Sequence, residues 1–89
     1  MEIRNRIIRK LNHILCEQIL HYQVEIASDE LYLEKYEIDS MGFLNFLCIV
    51  EEEFAFEIDD DNWKYDHFAM LSILADYIID MKGVANVIL

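Results

Sequence analysis

Proline is missing from this 89-residue sequence, and glycine occurs only at Gly42 and Gly83. A turn-rich β fold leans on both residues, so their scarcity points to an all-α chain. Cysteine is equally scarce. Cys16 and Cys48 each sit in an apolar helical pattern, so buried free thiols in a reducing cytoplasm are expected rather than a disulfide framework. No apolar run approaches the roughly 20 residues of a membrane span. The opening residues, Met1 to Arg6, lack a signal peptide's apolar stretch.

Basic residues are also short: 7 against 18 acids, for a net charge of −11. The deficit is uneven. Residues 1–24 carry a net +2, whereas residues 25–82 carry 16 acids against Lys35, Lys64 and Lys82. Nucleic acid is thereby disfavoured as a partner, because its phosphates would be repelled. Basic patches on other proteins are the natural complement. The plainer alternative is that the acids keep a small domain dissolved. The length suits one domain with a modest core.

What is present is helical periodicity. Ile3, Ile7, Leu11, Ile14, Leu15 and Ile19 recur at spacings of three and four, predicting an amphipathic helix over about residues 3–22. Its four basic residues fall in the first three turns, against the helix dipole. They either offset acids elsewhere in the fold or meet an anionic surface. His13 and His21 read as surface residues. Residues 23–38 form a long connection for a compact domain, with Ser28 a candidate cap and Leu31, Leu33, Tyr36 and Ile38 candidate anchors.

Residues 56–62 read as a loop with Phe56 and Ile58 turned inward. The run Asp59-Asp60-Asp61-Asn62 lacks the glycine and closing glutamate of a calcium loop, so no metal site is predicted. Trp63, Tyr65 and Phe68 suggest a short third helix, with His67 structural. Leu71, Leu74, Ala75 and Ile78 predict a last helix over 70–82, stopped by Lys82 and Gly83. Residues 84–89 form an apolar tail that either packs back on the fold or mediates association.

The most informative stretch is Ile38-Asp39-Ser40-Met41-Gly42 and the apolar run after it. Asp39 can cap the helix that follows, which leaves Ser40 in the first turn with its hydroxyl facing solvent. At 100° per residue, Phe43, Phe46, Leu47, Val50 and Phe54 share a core stripe. Met41, Leu44, Asn45, Cys48 and Glu52 fall on the other side, a face for a partner or a second core contact. Gly42 is expected either to clear space beside Ser40 or simply to be tolerated near a helix end.

Asp39-Ser40-Met41-Gly42, the apolar helix, Glu51-Glu52-Glu53-Phe54 and Phe56-Glu57-Ile58-Asp59 together resemble the acyl carrier protein family, over about residues 31–79. The resemblance implies a small four-helix bundle with a long loop between helices 1 and 2, and residues 1–83 as one carrier domain. It implies that Ser40 bears 4'-phosphopantetheine, donated from coenzyme A by a phosphopantetheinyl transferase, with Asp39, Met41 and Gly42 completing the motif. The chain would then be a monomeric cytoplasmic carrier of thioester-bound acyl or aminoacyl groups, not itself an enzyme. Its partners would be loading and processing enzymes whose basic patches meet Met41, Leu44, Asn45, Cys48, Glu51 and Glu52. An aspartate before the serine resembles acyl and D-alanyl carriers more than peptidyl carriers, and Met-Gly after it is similar to D-alanyl carriers.

Three positions depart from the family pattern. Glu37 stands where glycine is common, Asn45 where glutamate is common, and Met70 where a capping threonine often precedes the last helix. These departures support an alternative, an unmodified acidic helical adaptor. A serine hydrolase fits poorly, since no Gly-x-Ser-x-Gly elbow is present.

Overall fold

The computed structural model describes residues 3–59 and 67–83. Among the described residues every regular element is helical, and no helix is long and apolar enough to cross a membrane. The first helix, α1, covers Ile3–Ile14 and continues directly into a π-helical segment, Leu15–Leu20. The wider π turn lets Leu15 and Cys16, neighbours in sequence, both be buried. His21 then adopts a left-handed conformation (φ 63°) and ends the helix two residues before the predicted stop.

The long connection after α1 is tied down by a side chain that periodicity does not single out. Asn12 donates from Nδ2 to the Val24 carbonyl (3.1 Å) and accepts the Ile26 N–H at Oδ1 (2.8 Å). Cys16 Sγ also donates to the Val24 carbonyl (3.2 Å). An amide thus serves as a pairing edge for an extended segment whose backbone groups would otherwise lack partners.

The connection also holds one turn of helix, α2, Tyr32–Lys35. Two expectations about it are corrected. Ser28 does not cap it, because α2 starts behind Leu31 with no side-chain cap. Leu31 is 46% exposed, and Tyr32 is the anchor instead. Its ring is fully buried edge-on against Phe46, and its hydroxyl donates to the Phe68 carbonyl at 2.8 Å.

Helix α3 covers Ser40–Phe54, and all five residues of the predicted core stripe are buried in it. Helix α4, Leu71–Lys82, buries Leu71, Leu74, Ala75 and Ile78. Its N-cap position, Met70, offers no side-chain acceptor, yet the start is not displaced. The carbonyl of Ser28 accepts the Ser72 N–H at 2.9 Å, so the connection between α1 and α2 supplies the missing acceptor.

Helix α1 packs against both α3 and α4. Lys10 reaches Glu53 at 3.2 Å near the end of α3, while Ile19 borders Gly42 at its start, so α1 and α3 run in opposite directions. Arg4 pairs with Asp76 of α4 at 2.7 Å. Arg4 and Lys10 therefore offset acids within the fold, whereas Arg6 and Arg9 remain exposed. The expected pair of buried thiols is half corrected: Cys16 is buried, but Cys48 is exposed on the side of α3 away from the stripe. Trp63 and Tyr65 of the expected short third helix, and the apolar tail 84–89, lie outside the described residues; Phe68 is buried and His67 exposed.

Candidate functional site at the start of α3

Asp39 sits in extended conformation (φ −80°, ψ 178°), and its Oδ1 accepts the Gly42 N–H at 2.8 Å. Its carbonyl takes the Phe43 N–H at 2.9 Å, beginning the helical ladder. This is an N-cap in the expected place, with a carboxylate at the positive end of the helix dipole. Ser40 follows as the first helical residue and is exposed. The arrangement presents a primary hydroxyl at a rigid helix end.

The turn that delivers the chain to Asp39 is strained at one point. Glu37 has φ 54°, in the left-handed region. Its N–H donates to the Glu34 carbonyl at 3.2 Å, and the Ile38 N–H donates to the Leu33 carbonyl at 2.9 Å. The backbone therefore adopts the conformation a glycine would take, with a glutamate bearing it. Burial of Ile38 and Leu33 beneath the turn holds it there.

A carboxylate braces the segment ahead of that turn. Glu30 accepts from Lys35 Nζ (2.8 Å), the Ala27 N–H (2.9 Å) and the Tyr36 hydroxyl (3.1 Å). The Lys35 hydrogen bond, foremost among these contacts, holds the Glu30 carboxyl below its ordinary range despite opposing desolvation. The same partnership raises Lys35.

Gly42 packs closely on the turn before α3. A Cβ there would stand 3.2 Å from Ile38 Cγ2, with Ile19 Cγ2 of the π-helical segment in ordinary contact at 3.7 Å. Ser40 lies about 200° away around the helix. Next to this contact is a cleft of about 170 Å³, whose walls include Ile19, Leu20, Tyr36, Ile38, Asp39 and Gly42.

On the outward face Met41 is 70% and Leu44 40% exposed, and Asn45, Cys48 and Glu52 are exposed with them. Glu51 differs from the other residues assigned to this face. It is half-buried, and its Oε2 accepts the Ile58 N–H at 2.7 Å, fastening the segment after α3. The structure thus gives Glu51 an internal partner and leaves Glu52 as the solvent-facing acid. Among the described residues no three His, Cys, Asp or Glu side chains gather as metal ligands.

Sequence reasoning missed Asn12, Tyr32 and the cleft. Tyr32 had a signal in its spacing of four from Tyr36, the interval of one helical turn. Asn12 had none, because its partners lie across the fold. Comparison with known proteins adds no relative: no family model, no curated protein and no solved structure matches the chain.

Proposed function

We propose that this chain is a carrier protein, a small four-helix bundle that bears 4'-phosphopantetheine on Ser40 and presents a thioester-bound acyl or aminoacyl group to successive enzymes. The observation that carries the reading is the exposed Ser40 hydroxyl at the first position of α3, directly behind the Asp39 cap. A phosphodiester attached there would sit at a helix N-terminus, where backbone N–H groups and the dipole favour negative charge. The left-handed turn at Glu37 is compatible with it, since that is a conformation glycine adopts readily and glycine is the residue the resembling family favours there.

The residues divide the work plainly. Asp39 fixes the first turn and hence the direction of Ser40 Oγ. Met41, Leu44 and Cys48 offer an apolar surface beside that oxygen, and Glu52 adds a charge that would meet a basic partner. Loading makes one bond and breaks one. Ser40 Oγ bonds the phosphorus that carries pantetheine in coenzyme A, adenosine 3',5'-bisphosphate leaves, and the hydroxyl proton passes to the transferase. Once attached, the group supplies a thiol on a flexible arm, held near a docked enzyme at an effective concentration of about millimolar.

The test is Ser40→Ala, co-expressed with a promiscuous phosphopantetheinyl transferase. Loss of loading is expected, with helicity and melting close to wild type because Asp39 retains the cap. Loading that persists would remove Ser40 from the site, and collapse of the fold would make Ser40 a structural residue instead.

A further inference from the structure

We infer that the basic hollow on α1 is a binding site for a diphosphate group. Arg6, Arg9, Lys10 and His13, at spacings of three, one and three, share one side of the helix and line a hollow of about 380 Å³. Among the described residues no acid lines it. Lys10 is already held, with Nζ 3.2 Å from Glu53 and 5.7 Å from the centre of the Phe54 ring. Arg6 and Arg9 are exposed, and neither has an ion-pair partner among the described residues. Their guanidinium forks are the unclaimed donors of the hollow. The helix gains nothing from this placement, because Arg6 repels Arg9 and Lys10 one turn away and stands close to the positive end of the dipole. A bound anion removes that repulsion.

The surroundings set the size of the anion. Past His13 the next hollow along α1 is lined by Glu17 and Glu53, and a third hollow, shared by Arg9, is lined by Glu25. Acids thus bound the positive patch, in a chain whose net charge is −11. A membrane surface, a nucleic acid or an acidic peptide would extend over those acids and be repelled. A compact ligand of dense charge would not. The patch runs about 10 Å along the helix from Arg6 to His13. Side chains one turn apart start about 5–6 Å from each other, so the two forks can each grip one phosphate of a diphosphate bidentately. Lys10 adds a point charge and His13 a ring N–H. Lys10 meets Glu53 at the far end of α3, about 20 Å along that helix from Ser40. The site is therefore separate from the serine and does not rest on the carrier reading.

The experiment titrates inorganic pyrophosphate into isotopically labelled full-length chain, beside potassium chloride at equal ionic strength. The Nε–H resonances of Arg6 and Arg9 are expected to shift with pyrophosphate and to saturate at one ion per chain. Arg6→Gln and Arg9→Gln, at exposed positions and with a good helix former, should each weaken binding about tenfold at unchanged helicity. Arg6→Lys keeps the charge but loses the fork, and should weaken binding several-fold. Equal binding by that variant would reduce the site to bulk charge attraction and overturn the inference. ADP tells the two sources of the group apart: tighter binding than pyrophosphate assigns the diphosphate to a nucleotide, and equal or weaker binding assigns it to the free ion. Equal shifts in potassium chloride would overturn the site. So would a chain that binds phosphatidylglycerol vesicles or hexaglutamate but ignores pyrophosphate, since its partner would then be a membrane or an acidic protein.

Discussion

At Glu37 the backbone holds φ 54°, a conformation that strains an L-residue with a Cβ by about 1–2 kcal/mol. Glycine would relieve that strain but would add unfolded-state freedom worth roughly 0.5–1 kcal/mol. Glu37→Gly should therefore stabilise the fold by about 0.5–1 kcal/mol, because Glu37 is exposed and its backbone hydrogen bond is kept. The check is a urea melt, read as a higher midpoint with unchanged slope. A lower midpoint would mean that the glutamate side chain stabilises the turn by more than its strain. The sequence announced a conflict at this residue, a glutamate where the resembling family favours glycine. It could not announce the resolution, because whether the turn changes or strains depends on how firmly Ile38 is seated beneath it. Gly42 meets the same residue: a Cβ there would stand 3.2 Å from Ile38 Cγ2, whereas Ile19, at 3.7 Å, is in ordinary contact.

Among the elements, α3 was the most legible, since a 100° periodicity over fifteen residues sorts its two sides without knowledge of what they meet. Leu44 lies on the exposed side, so Leu44→Arg should leave the melting temperature nearly unchanged. As an anchor of the partner face it should weaken loading by about 1–2 kcal/mol, roughly tenfold, measured as kcat/KM of the transferase. Unfolding of the variant would return Leu44 to the core and contradict the two-sided reading. The end of α1 was less legible, because the π-helical segment departs from the period used to read it. The loop before α3 was least legible, since Asn12 and Tyr32 hold it through contacts distant in sequence. Its Glu30 brace carries a pH signature. A carboxyl whose folded pKa is lowered contributes fully above the unfolded pKa, and the contribution is lost as pH falls through the lowered folded value. Glu30→Gln should accordingly flatten the loss of stability on acidification below about pH 5. Parallel acid limbs in wild type and variant would show that the brace adds nothing.

The whole molecule is as compact as its length predicts: the radius of gyration is 12.0 Å, against about 12 Å expected for a folded domain of this size. Its charge is arranged as well as abundant. Four of the seven basic residues gather on α1, where Arg4 and Lys10 meet acids of α4 and α3, and the exposed acid Glu52 stands on the outward face of α3. These surface pairs stabilise little individually, so their larger effect is on the field a partner meets. The helical class and the core stripe could be read from spacing alone, whereas the role of Ser40 rests on a motif and an exposed hydroxyl. That role is the central claim, and one measurement addresses it directly: the intact mass of the wild-type chain after co-expression with a promiscuous phosphopantetheinyl transferase. The account predicts a gain of one phosphopantetheine group per chain, located by fragmentation at Ser40. An unchanged mass beside a carrier protein that is loaded in the same cells would contradict it, and would make the chain an acidic helical adaptor.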